Sequence, residues 1–325
     1  MTNSQTTPTT ESRYRGALLG LATGDALGTT VEFSAPGSFE PVADMVGGGP
    51  FNLPAGAWTD DTSMALCLGE SLLACGGFAP EDQLQRYVLW YRDGYLSSTG
   101  KHFDIGGATG RALRHFEETG DRYPGDQVNP GQAGNGPLMK LAPIPMAYAK
   151  HPQEAVNFAA LSCRTTHGDP EAVSATEYFA ALVVAALSGD DVLAMLRAGK
   201  TASLDSLSST TPLSPKVASI AAGSYQTKQP PEIRGTGYII DALEAALWAL
   251  VNHDTFEQGV LAAVNLGDDA DTTAAIYGQL AGAIYGVEVI PERWLRKLVM
   301  RAEITKMADE LLVLSETVQG ARGQG

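Results

Sequence analysis

The chain has 325 residues, with 22 Lys and Arg against 37 Asp and Glu, a formal net charge of −15, and 44% hydrophobic against 18% charged residues. A chain this long and apolar buries a core, as one large domain or two modest ones, and is not a disordered segment. Its acidic balance excludes a general affinity for nucleic acid or an anionic membrane surface, since both require a basic face.

The start, Met1 to Ser12, is Thr-rich and polar and lacks the charged-then-apolar order of a secretory signal; it is expected to be a frayed tail. Gly16 to Gly28 spaces glycines through Ala and Leu. With no strand before it, this is a weak phosphate-loop signal and a better tightly packed helix running into a turn. Glu32 follows in the loop, as a general base or merely a solvated carboxylate. Val42 to Leu53 is too broken by glycine to be a convincing strand.

Helical periodicity governs the remainder. Leu84, Tyr87, Val88 and Tyr91 follow the i, i+3, i+4, i+7 rule after the start signal Pro80-Glu81-Asp82, with Trp90 and Tyr91 as core. Ala172, Ala175, Thr176, Phe179, Leu182, Val183 and Ala186 form a second stripe that stops at Gly189. A Ser/Thr/Pro-rich loop runs from Ser203 to Pro215. Further stripes are Ala242, Leu243, Ala246, Leu247 and Leu250, and then Leu295, Leu298, Val299, Ala302 and Met307. Gly278, Gly282 and Gly286 recur every four residues on one predicted helix, a spacing that lets a second helix approach closely.

These elements predict an all-α, compact, single-domain globule over 13–317, with tails at 1–12 and 318–325. The longest apolar run, Phe179 to Leu187, is far short of the ~20 residues of a membrane span. Cys67, Cys75 and Cys163 form no CxxC pair, which argues against a disulfide scaffold or thiolate zinc site and fits a reducing cytosol. A soluble cytoplasmic protein, monomeric and without a membrane span, is expected.

Two glycine-led loops carry the chemistry. Gly56-Ala57-Trp58-Thr59-Asp60-Asp61-Thr62-Ser63 leads into the helical stretch Met64 to Leu73, and Gly267-Asp268-Asp269-Ala270-Asp271-Thr272-Thr273 leads into the helix from Ala274 to Tyr285. Either alone is explained equally well by a well-capped helix start, which favours Asp and Thr. Two such clusters with no Lys or Arg inside either favour a cation. Carboxylates and hydroxyls are hard donors, so Mg²⁺, Mn²⁺ or Ca²⁺ fits better than zinc or copper. If the clusters converge, they can hold two metals ~3.5–4 Å apart, an arrangement that activates water.

Gly20 to Glu32, Trp58-Thr59-Asp60-Asp61-Thr62, Gly134-Asn135-Gly136-Pro137-Leu138-Met139, Thr166-His167, Gly235-Thr236-Gly237-Tyr238 and Gly267 to Thr273 together resemble the ADP-ribosylglycohydrolase family, most closely its bacterial branch that reactivates dinitrogenase reductase. The matched blocks run in order from about Gly16 to Gly286; each is modest evidence, and all in order are specific.

The resemblance implies an all-helical fold around a cleft with two Mg²⁺ or Mn²⁺ ions, held by Thr59, Asp60, Asp61, Asp269, Asp271 and Thr272, with Asp268 a neighbour. It implies release of ADP-ribose from a modified protein, typically at arginine, by attack of metal-activated water at the anomeric carbon of the distal ribose. Glu32 and Asp104 are then the candidates for proton transfer. Asp104 lies in Asp104-Ile105-Gly106-Gly107-Ala108-Thr109, where the family loop usually reads Asp-Ile-Gly-Asn-Thr-Thr. Gly107 and Ala108 thus replace two polar positions, which bears on the substrate contacts expected at Gly106 and Gly107. Asp104 also fits a helix cap before Thr109 to Phe116.

Further substrate contacts implied are Asn135 and Gly136, where glycines allow close backbone approach, and His167 near the distal ribose. Tyr238 either stacks on adenine and walls the cleft or is a core tyrosine opening a helix to Val251. Lys140 stands where relatives often carry Arg.

Three other readings compete. Asp269, Asp271 and Thr273 also match the Asp-x-Asp-x-Thr signature of haloacid dehalogenase-type phosphatases, which needs a buried parallel strand before it; Val260 to Leu266 makes a poor one. A terpene-type synthase would line its pocket with aromatics, and aromatic content is 7%. A serine-linked ADP-ribose hydrolase, or a non-catalytic ADP-ribose binder or structural relative, is the remaining alternative.

Overall fold

The computed structural model describes residues 7–199, 201 and 212–318. Among them the chain forms α1 (Thr10–Gly28), α2 (Asp60–Cys75), α3 (Pro80–Asp93), α4 (Gly107–Thr119), α5 (Pro124–Val128), α6 (Gly136–Met139), α7 (Pro143–Ala147) and α8 (Pro152–Arg164). Then follow α9 (Pro170–Ser188), α10 (Val192–Arg197), α11 (Pro215–Ala221), α12 (Ile239–Asn252), α13 (Phe256–Val264), α14 (Ala270–Tyr285), α15 (Glu292–Leu295) and α16 (Arg301–Thr317). Extended pairing among these residues is limited to two isolated bridges, Gly48 with Leu53 and Gly134 with Tyr238. The all-α expectation holds. Val260 to Val264, the strand a phosphatase would need, is helical.

The periodic stripes become α3, α9, α12 and α14, and α9 stops where Gly189 takes a left-handed conformation. By length and composition α9 is apolar enough to cross a bilayer, longer than the apolar run counted from sequence; 83% of its apolar window is buried inside the fold, which makes it a core helix. The stripe from Leu295 to Met307 does not run through. α15 ends at Leu295, Met300 adopts φ 55°, and a new helix starts at Arg301.

The frayed start also ends sooner than expected. Thr9 caps α1 by accepting the Ser12 N–H, and Ser12, buried, donates to Glu288. Residues 1–6 and 319–325 of the expected tails, and 203–211 of the Ser/Thr/Pro-rich loop, lie outside the described residues.

The glycines fix the centre of the molecule. Gly16, Gly20, Gly24 and Gly28 of α1 face Gly282, Gly278, Ala274 and Asp271 of α14 in reverse order, so the two helices run antiparallel in backbone contact. A Cβ on Gly20 would stand 2.2 Å from the Gly278 carbonyl oxygen, and one on Gly28 would stand 2.3 Å from the Asp271 Cα. No side chain larger than hydrogen fits this seam. Its consequence is positional: the end of α1 and the loop carrying Glu32 are delivered beside the first turn of α14. Around the pair, α9, α12 and α13 pack on α14, and α2 and α16 on α1.

Candidate active site

α1 also holds α2. Asp25, fully buried near the end of α1, accepts four hydrogen bonds from the start of α2. Thr59 gives its N–H at 2.9 Å and its Oγ1 at 3.0 Å to Oδ1, and Thr62 gives its N–H at 3.0 Å and its Oγ1 at 2.6 Å to Oδ2. Thr59 is the N-cap of α2 but makes no capping bond of its own, so Asp25 satisfies first-turn donors in its place. With α2 and α14 both anchored to α1, their acidic first turns meet. Thr59 Oγ1 lies 3.2 Å from Asp271 Oδ2, and Thr272 Oγ1 lies 3.3 Å from Asp61 Oδ1.

Two loops complete the cluster. Phe33 donates its N–H to the Asp268 carbonyl at 2.7 Å and Asp268 returns one to Ser34 at 2.8 Å, which pins the segment carrying Glu32 to the segment before Asp269. Asp104 enters from the loop before α4 with φ 60°. One carboxylate oxygen from each of Glu32, Asp104 and Asp271 falls within 4.8 Å of the others. This tightest group mixes the two residues expected to move protons with one expected to bind metal.

The electrostatic cost of this packing is plain. Burial, then the charges of Asp104, Asp269 and Asp25, pushes the Glu32 carboxyl up to about 9. Burial and the neighbouring Asp25 and Asp269 raise Asp104 to about 7. Burial foremost, and then adjacent carboxylates, holds Asp60, Asp61 and Asp271 well above the usual range. Three buried oxygens in this cluster, Glu32 Oε2, Asp61 Oδ2 and Asp271 Oδ1, have no hydrogen-bond partner. Orphaned carboxylate oxygens gathered in one cluster fit the donor chemistry of a hard divalent cation.

The cluster opens into a cleft of about 330 Å³. Of the metal-binding expectations, Asp60, Asp269, Asp271 and Thr272 line it, while Thr59 and Asp61 lie buried beneath. Glu32, Asp104, Gly106, Gly107, Asn135, Gly136 and His167 line it as well. No Lys or Arg does so among the described residues.

Three local readings change. Asp104 is no helix cap: α4 starts at Gly107 with Gly106 as its N-cap, and the Asp104 carboxylate belongs to the acidic cluster. Gly134 and Gly136 make room for His167, since a Cβ there would stand 3.1 Å and 3.0 Å from its ring atoms. His167 Nδ1 pairs with Thr166 Oγ1 at 2.9 Å, and burial followed by repulsion from Lys140 and Arg111 lowers its pKa to about 3, so it is a neutral wall.

Tyr238 is not brought into the cleft. It caps α12; its hydroxyl bonds Glu171 and Lys216, and the Lys216 ammonium stands 4.8 Å from its ring centroid. The backbone around it does serve the site, because Gly237 and Ile239 pair with Asn135 and Ala133 at 3.1 Å and 2.9 Å. Asn135 in turn donates its side-chain amide to Asp269 at 2.8 Å.

Two further residues at the site are not singled out by sequence reasoning. Asp25 is an acid inside a Gly/Ala/Leu helix, a mismatch that in retrospect marks it. Phe33 lines the cleft although 66% exposed. Lys140 lies buried below, its ammonium 5.2 Å from the Tyr87 ring centroid and lowered to about 8 by burial despite the pull of Asp60.

The family model described as ADP-ribosylglycohydrolase matches residues 6–321. The chain is 43% identical to the ADP-ribosylarginine hydrolase Tri1 of Pseudomonas putida (strain GB-1), over 92% of this chain and 77% of that protein. It is 32% identical to the ADP-ribosyl-[dinitrogen reductase] glycohydrolase of Rhodospirillum rubrum, over 95% of this chain and 99% of that one. A solved structure described as an ADP-ribosylglycohydrolase-related protein complex superposes with a TM-score of 0.82 at 46% identity, covering 94% of this chain and 99% of that chain.

Proposed function

The chain belongs to the ADP-ribosylglycohydrolase family, and from that membership we propose that it releases ADP-ribose from modified arginine side chains by hydrolysing the N-glycosidic bond at the distal ribose. The observation that carries this reading is the convergence of the Thr59–Asp61 and Asp269–Thr272 turns with Glu32 and Asp104 in one cleft. The naming of relatives at 41–43% identity as ADP-ribosylarginine hydrolases supports arginine over serine as the leaving group.

In this reading the six residues Thr59, Asp60, Asp61, Asp269, Asp271 and Thr272 hold Mg²⁺ or Mn²⁺, two ions by analogy with the family pattern. The orphaned oxygens of Asp61 and Asp271 support it. Such ions, held by these residues, would supply Lewis acidity that lowers the pKa of a bound water.

Glu32 and Asp104 supply proton transfer. Glu32 Oε2 is buried and unpaired; with a divalent cation offsetting the neighbouring carboxylates that raise its pKa, Glu32 would be ionised and able to take a proton from a water that attacks the anomeric carbon, and Asp104 stands across the cluster to stabilise or protonate the departing side. Asn135 and His167 shape the pocket for the ribose, with His167 neutral and Asn135 held by Asp269. Cys67, Cys75 and Cys163, all free thiols, support a reducing, cytoplasmic setting.

The test is ADP-ribose release from arginine-linked and serine-linked protein, titrated with Mg²⁺ and Mn²⁺, for the parent, Asp60→Ala and Asp271→Ala. Arginine-linked release that needs a divalent cation and is lost in both variants is expected. Release from serine alone overturns the assignment of linkage, and full activity in the variants overturns the proposed centre. Glu32→Gln and Asp104→Asn then separate the proton-transfer roles.

A further inference from the structure

We propose that Phe33 determines specificity for the leaving group, its ring face receiving the planar guanidinium of the ADP-ribosylated arginine. The proposal rests on the activity read above and adds to it the residue that recognises the arginine side of the scissile bond.

Among the described large apolar side chains, Phe33 at 66% is as exposed as any, and surface exposure alone means little. Its setting distinguishes it. Phe33 follows Glu32 directly and lines the same cleft as the carboxylates. It holds φ 61°, a left-handed conformation costly for a bulky residue, and is kept there by the paired backbone bonds with Asp268 and between Asp268 and Ser34. Strain maintained in a residue beside a reactive cluster, by the very loop that leads to Asp269, points to a use for the ring's position.

The ring is also supported. Phe51 meets Phe33 edge-on, with centroids 6.4 Å apart and planes at 74°, and Phe51 packs on Phe103 at 5.1 Å. Phe103 immediately precedes Asp104, so the aromatic row spans the two loops that bring Glu32 and Asp104 together. An apolar rim beside an acidic floor has one well-matched occupant among the possible leaving groups. Glu32, Asp60, Asp104, Asp269 and Asp271 line the cleft with no Lys or Arg among the described residues, so no cation of this chain lining the cleft competes for the ring. A guanidinium is planar, weakly hydrated and always charged, and stacks on aromatic faces. The hydroxyl of a serine leaving group gains nothing from the ring.

Adenine is the competing occupant, since it stacks on aromatic rings too; free ADP-ribose, which carries adenine and lacks the leaving group, separates the two. The experiment compares the parent with Phe33→Ala, Phe33→Leu and Phe33→Trp, using an ADP-ribosyl-arginine peptide as substrate and free ADP-ribose as competitive inhibitor. Phe33→Ala and Phe33→Leu are expected to raise KM roughly five- to twentyfold, with kcat and the ADP-ribose inhibition constant within about twofold of the parent, and Phe33→Trp to restore KM. Circular dichroism confirms the fold of each variant. An unchanged KM in Phe33→Ala overturns the proposal, as does parental KM in Phe33→Leu, which keeps apolar area without a π face. A parallel rise in the ADP-ribose inhibition constant assigns the ring to adenine instead. A parent inactive on arginine linkages removes the underlying activity and this inference with it, whereas an active parent with indifferent variants removes this inference alone.

Discussion

Thr272 Oγ1 and Asp61 Oδ1 stand 3.3 Å apart although 211 positions separate them in the chain. Behind that contact, Asp61 Oδ2 and Asp271 Oδ1 are buried without partners, and burial, followed by repulsion from neighbouring carboxylates (Asp25 and Asp60 foremost for Asp61, Glu32 and Asp61 for Asp271), raises the pKa of both carboxyls. A divalent cation relieves both conditions. Metal-stripped protein is therefore expected to melt lower than protein with Mg²⁺ or Mn²⁺; a cation present at a hundredfold its Kd adds about 2.7 kcal/mol. Protons compete for the same oxygens, so the gain in Tm should be larger at pH 8 than at pH 6. Differential scanning calorimetry of the parent and Asp61→Asn checks this: the variant should lose most of the gain, and a parent indifferent to cations refutes the site.

Asp25 takes its charge into a fully buried position and compensates with four donors from Thr59 and Thr62. Burial raises its pKa to about 6 in spite of them. Replacement by Asn substitutes an amide nitrogen for one acceptor oxygen and sets it against a backbone N–H of Thr59 or Thr62, which loses its partner. A loss of about 2–4 kcal/mol in urea unfolding at pH 7 is expected. Parental stability in Asp25→Asn would show that α2 is held by something other than this anchor.

Much of this was legible in the sequence, for identifiable reasons. The α3, α9 and α12 stripes repeat their apolar residues at helical spacing, and the Gly278–Gly282–Gly286 run announces close approach by another helix. The acidic turns at Thr59–Asp61 and Asp269–Thr272 stand out because clustered like charges without a cation demand an explanation. Other features leave no periodic trace. The left-handed Met300 interrupts an apolar stripe that otherwise continues from Leu295 to Met307. Tyr238 turns from the cleft because Glu171 and Lys216, remote in sequence, bind its hydroxyl. Asp25 and Phe33 depend on which loop closes over which helix end, and that is set by the α1–α14 seam.

That seam gives one substitution opposite outcomes at two sites. Gly20→Ala places a methyl 2.2 Å from the Gly278 carbonyl oxygen, where two rigid backbones meet. α1 must shift, carrying the Glu32 loop away from Asp271, and a loss of about 3 kcal/mol or more is expected, with activity falling alongside. Gly110→Ala lies within α4, where the methyl meets mainly the flexible end of Arg114 at 3.3 Å. There the helical preference for Ala should leave stability unchanged or raise it by up to about 1 kcal/mol. Equal costs at both sites in denaturant titration would refute the seam.

His167 gives the pH dependence a definite sign. Its folded pKa, about 3, lies below the ordinary value of 6.5 because burial, and then Lys140 and Arg111, oppose the charged ring. Between those values the unfolded chain binds a proton that the folded one refuses, so stability rises with pH. The contribution of the neutral ring is complete above about pH 6.5 and is lost as pH falls toward 3, at a slope approaching about 1.4 kcal/mol per pH unit. The acidic cluster also titrates, but it does so in both proteins when the parent is compared with His167→Gln, which keeps a polar side chain and removes the ring's titration. Urea unfolding at pH 6.5 and 4.5 should show the parent losing more stability than the variant on acidification. Parallel losses would mean that His167 takes up its proton inside the folded protein, and that the wall it forms with Gly134 and Gly136 is open to water.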